Sequence, residues 1–354
     1  MRFVPFGCVK EGMIMGRTIF NQNGEVLLHK GAELKNNYIQ KMEGLGFNGI
    51  YIDDELSKDI EFESLVSDSL RNKTIKGIKD IYLTMESNKA VDDKKIKETH
   101  LMIENIIDDI LANRNMVVNM MDLKIFDDYT FFHSVNVTIL SITIGVAMGL
   151  NRLDLHKLGM GALLHDIGKV FIEKNLLNKP GRLTNLEFME LQKHASLGYQ
   201  YIKEKFDLPP TSYVAALSHH EKYDGTGYPN ALKGEDIHIF GRIIAVCDVY
   251  DALTSDRPYR KSMLPSDAME YIMGSGGSHF DPNVVKMFVK KVAAYPVGTT
   301  VKLSNGQSAI VAENFEGWGT RPKIKIISDT PMYIDLRTDP NARNITITEI
   351  FSQV

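Results

Sequence analysis

Along this chain the spacing of apolar residues predicts strands near both ends and helices between them. In residues 1–60, Met13-Ile14-Met15-Gly16-Arg17-Thr18-Ile19-Phe20 and Glu25-Val26-Leu27-Leu28 are β-prone runs around Asn21-Gln22-Asn23-Gly24, a hairpin-turn sequence. Leu34, Tyr38, Ile39, Met42 and Leu45 then recur at helical spacing with Gly46 in the stop position, and Gly49-Ile50-Tyr51-Ile52 predicts a further strand. Residues 61–127 keep the helical period. Ile75, Ile78, Tyr82 and Met85 share one face, and Leu101, Ile103, Ile106, Ile107, Ile110 and Leu111 form a broader stripe, with a polar link from Glu86 to Lys97 between them. Such stripes serve as core or as a surface for a partner helix, so a homodimer seam is one reading of them.

Residues 128–293 read as helix after helix: 133–148, 152–167, 185–203, 210–219, 241–253, 265–273 and 282–292. After Tyr295-Pro296 the period changes to that of strands, in Thr300-Val301-Lys302-Leu303, Ala309-Ile310-Val311-Ala312, Lys323-Ile324-Lys325-Ile326-Ile327, Tyr333-Ile334-Asp335-Leu336 and Ile345-Thr346-Ile347-Thr348. Turn sequences at Asn305-Gly306, Gly317 to Gly319 and Asp339-Pro340 separate them and predict a small antiparallel sheet or barrel. The expected architecture is multi-domain and mainly α. It has a small N-terminal α+β module (1–60), a helical linker region (61–127), an all-α domain (128–293) and a small β-rich C-terminal module (294–354).

Composition narrows this picture without redirecting it. A chain of 354 residues can build two or three cores, and 44% hydrophobic with 24% charged residues is ordinary for a globular protein. The formal charge of −4 leaves no basic footprint for nucleic acid. Cys8 and Cys247, far apart in sequence, make no disulfide framework and suit a reducing cytoplasm. Met1-Arg2-Phe3-Val4-Pro5-Phe6 lacks the apolar run of an export signal. The most apolar segment, Val135 to Leu150, is interrupted by Asn136, Thr138, Ser141 and Thr143 and reads as a buried helix, not a membrane span. A cytoplasmic location is expected.

Polar chemistry gathers in the all-α domain. His133, His165-Asp166, His194, His219-His220 and Asp248 arrive roughly 25 to 35 residues apart, about a helix plus its connection, so a bundle can deliver each group to a common centre. Taken singly, His133 could pack beside Phe131 and Phe132, and His194 could be a surface group. Together, seven N and O donors exceed the needs of one ion. Imidazole with carboxylate suits iron, manganese or zinc, and the absence of thiolate near the set argues against a structural zinc site. Asp166 follows His165 directly, so its carboxylate can lie between two ions. Two ions held about 3.5–4 Å apart lower the pKa of a bridging water and neutralise a phosphoryl group, which points to phosphoester hydrolysis. After His219-His220, the turn Gly225-Thr226-Gly227-Tyr228-Pro229 leaves backbone free to approach a bound group. Asp248 ends an apolar run and is costly there unless it meets a cation or donors. Cys247 reads as a small buried residue and Trp318 as a loop or core residue.

Three motifs in this order, His165-Asp166-Ile167-Gly168-Lys169, His219 to Pro229, and Asp248-Val249-Tyr250-Asp251-Ala252-Leu253-Thr254-Ser255-Asp256-Arg257-Pro258-Tyr259-Arg260, closely resemble the HD-GYP family. That family is a branch of the HD-domain phosphohydrolases, typically bacterial phosphodiesterases of the second messenger cyclic di-GMP. The resemblance covers about Tyr129 to Val292 and implies an HD-type helical catalytic domain. It implies metal binding by His133, His165, Asp166, His194, His219, His220 and Asp248, and it gives Lys169 to the scissile phosphate. It also gives Arg257 and Arg260 to phosphate oxygens, Tyr228 and Gly225 to the turn that meets substrate, and Asp251 to the orientation of a ligand or basic group. Some relatives place a glutamate four residues before the first ligand histidine to help hold a third ion. Tyr129 stands there in this chain, so two divalent ions, iron or manganese, are expected. The implied activity is hydrolysis of cyclic di-GMP to pGpG, with further hydrolysis to GMP left open by the Tyr129 difference, and with a metal-bridging hydroxide as nucleophile. Two alternatives stay open: a phosphodiesterase for another cyclic dinucleotide such as 3′,3′-cGAMP, and a non-catalytic protein that senses the nucleotide or docks on a diguanylate cyclase or other signalling partner.

Overall fold

The computed structural model describes the chain except residues 22–24, 46, 48, 62, 88, 120–128, 256–261 and 351–354, and the side chain of Tyr129. Its N-terminal module is a three-stranded antiparallel sheet, in which β5 (Gly49–Asp53) lies between β1 (Arg2–Pro5) and β2 (Ile14–Met15). A second pair, β3 (Ile19–Phe20) with β4 (Val26–Leu28), and helix α1 (Asn36–Gly44) complete it around Val4, Met15, Leu34, Met42, Ile50 and Ile52. The run from Met13 to Phe20 is therefore two short strands rather than one, because Gly16 and Arg17 bend between them. The expected hairpin turn and the Gly46 stop fall on or beside residues outside the described set.

Helices α2 (Asp68–Glu86) and α3 (Asp93–Ala112) begin at Ser67 and Asp92, whose side chains accept from the amides of Leu70 at 3.4 Å and Lys95 at 2.8 Å. The link between them is only residues 87–92, since Asp92 starts α3 inside the polar stretch. Then follow α4 (Tyr129–Ala147), α5 (Arg152–Leu164), α6 (Lys174–Leu177), α7 (Asn185–Lys205), α8 (Pro210–Ser218), α9 (Ile239–Thr254), α10 (Pro265–Gly274) and α11 (Pro282–Lys291). One core joins Ile75, Ile78, Ile103 and Ile106 of α2 and α3 to residues such as Ile142, Leu158, Ile243 and Phe288 farther along. Each such side chain contributes roughly 1.5–3 kcal/mol on burial, and most of both apolar stripes is taken up inside this core. Leu101 is the exception in its stripe. It is 56% exposed because it lies well off the face shared by Ile103, Ile106 and Ile110.

Among the described residues α4 is the one helix long and apolar enough to cross a membrane, and 72% of its apolar window is buried inside the fold. Three of its buried hydroxyls bond back to their own helix, Ser134 to the carbonyl of Thr130 at 3.0 Å, Thr138 to that of Ser134 at 2.7 Å and Thr143 to that of Ile139 at 2.7 Å. The C-terminal module is a five-stranded antiparallel sheet in the order β10 (Ile347–Ile350), β6 (Thr300–Leu303), β7 (Ser308–Glu313), β8 (Lys323–Ile326), β9 (Tyr333–Asp335), close to the strands expected from the sequence. It abuts the N-terminal module through Ile60, Val297 and Ile310, the Phe3 amide bonded to the Gly298 carbonyl at 3.0 Å, and the Lys325–Asp59 ion pair at 3.2 Å. The chain is mainly helical, and among the described residues its strands lie toward the two ends.

Candidate metal centre

The seven residues that the sequence spaced a helix apart converge. His133 comes from α4, His165 and Asp166 from the end of α5, His194 from α7, His219 and His220 from the end of α8, and Asp248 from α9. They form two groups whose donor atoms lie within 4.8 Å of one another: His133, His165 and Asp248 in one, and Asp166, His194, His219 and His220 in the other. Asp166 faces both. Its Oδ2 is 3.4 Å from His165 Nε2 and 3.8 Å from His133 Nε2, while its Oδ1 is 3.5 Å from His194 Nε2 and 3.9 Å from His219 Nε2.

A close contact makes this convergence possible. After α5 the chain enters a tight 3₁₀ turn, Ile167–Phe171, in which Gly168 lies directly on the backbone of α7. A side chain there would collide with the His194 carbonyl and the Gly198 amide, so only glycine lets the turn bearing His165 and Asp166 meet the helix bearing His194.

Hydrogen bonds decide which imidazole nitrogen points inward. The Nδ1–H groups of His165, His194 and His219 donate to the carbonyls of Ala162, Leu191 and Ala216 at 2.7, 2.7 and 2.5 Å, which leaves each Nε2 as a lone pair. The Nε2 atoms of His194 and His219 then face each other at 3.5 Å, and His220 Nε2 is 3.2 Å from that of His194. Buried His165 Nε2 has no hydrogen-bond partner. Lone pairs aimed at one another in a dry interior repel unless a cation lies among them, so the donor set fits divalent metal.

The electrostatics agree. Burial chiefly holds His194 below its ordinary value and His219 far below it, helped by the Lys169 charge at the first and by the neighbouring imidazoles at the second. Burial is also the main reason that His220 falls to about 3. All three are neutral and ready to ligate. Burial works to raise Asp166 and Asp248, yet Lys169 and His165 beside the first, and His133 on the second, keep both well below the usual carboxylate range. For His133, burial opposes charge, but hydrogen bonds to Asp248 and Asp251 carry it up to about 9, and a metal ion would displace the proton on its Nε2.

Around this centre, Asp251 accepts from His133 Nδ1 at 2.7 Å and from Asn136 Nδ2 at 2.8 Å, and Arg71 of α2 in turn donates to Asn136. Asn136 and Arg71 escaped the sequence reading. The signal for Asn136 was its place three residues after His133 on a mostly apolar helix, hence on the same face. Lys169, its side chain 31% exposed, holds Asp166 Oδ2 at 2.5 Å. Tyr228 lies over His220 with ring centroids 4.7 Å apart, and burial and Asp248 push its phenol up, so it stays protonated. The loop bearing it is folded by Glu221, a buried carboxylate that accepts the amides of Asn230 at 2.7 Å and Leu232 at 3.0 Å, a role no local pattern announced. Gly225 turns with a φ of 88°, and Gly227 sits so close to the backbone of Glu221 and Lys222 that no Cβ fits. Cys247 is buried, and burial carries its thiol up to about 12, which leaves it inert. Arg257, Arg260 and the side chain of Tyr129 lie outside the described residues.

A family model described as HD domain matches residues 105–284, just over half of the 354-residue chain. The chain belongs to the HD domain family, and its three motifs place it in the HD-GYP branch. Among curated proteins it is 38% identical over 225 residues to a cyclic di-GMP phosphodiesterase of Pseudomonas aeruginosa, across 64% of this chain and 54% of that protein. It is 31% identical over 243 residues to a cyclic di-GMP phosphodiesterase of Thermotoga maritima, across 67% of this chain and 65% of that protein. The matched region thus spans about half to two thirds of the length of these relatives. A solved structure described as a HDG"Y"P protein from Bdellovibrio bacteriovorus superposes with a TM-score of 0.51 over 81% of this chain and 97% of that one, at 16% identity, a likeness of fold.

Proposed function

We propose that this chain is a cytoplasmic, metal-dependent phosphodiesterase that opens cyclic di-GMP to linear pGpG. The observation that carries the reading is the Asp166 carboxylate, one oxygen of which faces each group of donors, as a bridging ligand requires. His133, His165 and Asp248 would hold one divalent ion and His194, His219 and His220 the other, with iron or manganese suited to this thiolate-free set. When bound, such a pair supplies an acidified water and neutralises charge on the phosphoryl group.

The chain's own residues do the rest. Asp251 keeps the His133 ring oriented through Nδ1 and is itself held by Asn136. Lys169 reaches from its ion pair with Asp166 toward solvent, where its ammonium can meet charge developing on the phosphate, an interaction of a kind worth about 10²–10³-fold in rate. Tyr228 and the backbone turning at Gly225 wall the substrate, and Arg257 and Arg260 are assigned to phosphate oxygens from the sequence motif. In the step itself a water oxygen bonds to phosphorus, the bond from phosphorus to the 3′-oxygen breaks, and one proton passes from the water to that leaving oxygen.

Metal analysis of anaerobically purified protein, run beside hydrolysis of cyclic di-GMP and 3′,3′-cGAMP, tests the reading. It expects about two ions per chain and turnover that is lost in the His165→Ala/Asp166→Ala variant. Metal-replete protein that binds these nucleotides and hydrolyses neither would make it a receptor instead.

A further inference from the structure

Helix α7 buries one stripe, His194, Ala195, Gly198 and Ile202. Phe188 lies seven residues before Ala195 and fourteen before Ile202, so at 3.6 residues per turn it continues that stripe toward the helix start. Ala195 and Ile202 are fully buried, whereas Phe188 is 46% exposed. The inward face of α7 has thus run past the protein that covers it and emerged beside the metal centre. What Phe188 meets there is the ring of Tyr228, edge to face at 6.1 Å between centroids, and Tyr228 in turn lies on His220. Leu186 and Met189 are also exposed, but they sit off this phase and face solvent.

The start of the helix that carries it is tied down. Thr184 and Glu187 form a reciprocal cap at the start of α7, Lys179 holds Glu187 at 2.6 Å, and the Phe188 amide donates to the Thr184 carbonyl at 2.9 Å. An aromatic face held open at the mouth of a phosphodiester site is a stacking platform for a base, and stacking accepts any purine because every base has a π face. We infer that Phe188, braced by Tyr228, stacks a purine of the cyclic dinucleotide and sets its affinity. This rests on the phosphodiesterase reading above and adds a residue that none of the motifs contains.

Steady-state kinetics on cyclic di-GMP, with metal content measured for every protein, would compare wild type with Phe188→Ala, Phe188→Leu and Phe188→Trp. The Ala and Leu variants are expected to raise KM roughly tenfold, the loss of one base–aromatic stack, while kcat and metal content hold and Trp restores KM. Emission of the introduced Trp should also be quenched by the product pGpG. A Leu variant with wild-type KM would reduce Phe188 to apolar packing and overturn the inference, as would an Ala variant within about twofold of wild type. If wild type opens no cyclic dinucleotide, the phosphodiesterase reading fails separately. Titration of the Trp variant with cyclic di-GMP then decides the platform alone: quenching supports it, and its absence overturns it.

Discussion

Replacing Gly168 with Ala would test whether the site depends on contact between the 3₁₀ turn and α7. The added carbon would lie 1.9 Å from the His194 carbonyl oxygen and 2.5 Å from the Gly198 amide nitrogen. Both are backbone atoms, so no side-chain rotation relieves the clash. A close carbon–oxygen approach is about 3.3 Å, and turn and helix must therefore part by about 1.4 Å. His165 and Asp166 stand on one side of that contact and His194 on the other, while metal–ligand distances tolerate only about 0.2 Å. Overpacking of this kind costs about 1–3 kcal/mol in stability, and a misplacement near 1 Å costs on the order of 100-fold in rate. The Gly168→Ala protein should keep its helical circular dichroism, melt lower, lose metal on dialysis against a mild chelator, and turn over at least about 100-fold more slowly. Gly274→Ala, at the end of α10 where a side chain meets nothing within 4 Å, should match wild type in all four respects. Wild-type metal content and turnover in Gly168→Ala would refute the reasoning.

Three further outcomes follow from the same geometry. Asp251→Asn keeps the shape but removes the charge that holds His133, and metal affinity should fall about 10–100-fold in a chelator competition; unchanged affinity would show that His133 needs no such support. Glu221→Gln sets an amide donor against one of the two backbone amides that the carboxylate now accepts, at a cost of about 1–3 kcal/mol. Urea midpoint should drop and KM rise as the loop carrying Tyr228 loosens, and an unaltered midpoint would contradict this. The third concerns pH. His100 on α3 and His156 on α5 meet through ring nitrogens at 3.2 Å, with Glu104, Asp207 and Arg152 the charged groups around them. Burial chiefly lowers both below their ordinary value, so the fold holds them neutral and the unfolded chain takes up protons first. The stability from this pair is full above about pH 6.5 and is lost as pH falls below it. His100→Gln/His156→Gln should thus cost less stability at pH 5.5 than at pH 7.5 in urea titrations, and an equal cost at both would exclude the pair as a source of acid sensitivity.

What the sequence could reveal of this site divides along physical lines. The ligand residues were legible because each closes or lines a helix, and helices of ordinary length recur at the interval at which the ligands recur. The strands of the C-terminal module were legible for a similar reason, since period-two runs bounded by turn residues need no distant partner to be recognised. β1 was missed because Arg2–Pro5 has no pattern of its own and becomes a strand only against β5. The support for His133 was hidden more deeply. Arg71 and Asn136 stand 65 residues apart in sequence, and their bond exists only because α2 and α4 share a core.

Phe188 shows what a combined reading adds. Its helical phase, which the sequence contains, assigns it to the inside of α7, and its exposure, which only the fold contains, leaves it half open beside Tyr228. An apolar residue in an inward phase left half uncovered would ordinarily be a liability on a surface. Beside seven converged metal donors the same mismatch has a use, because the group that completes the face is the one the centre exists to bind.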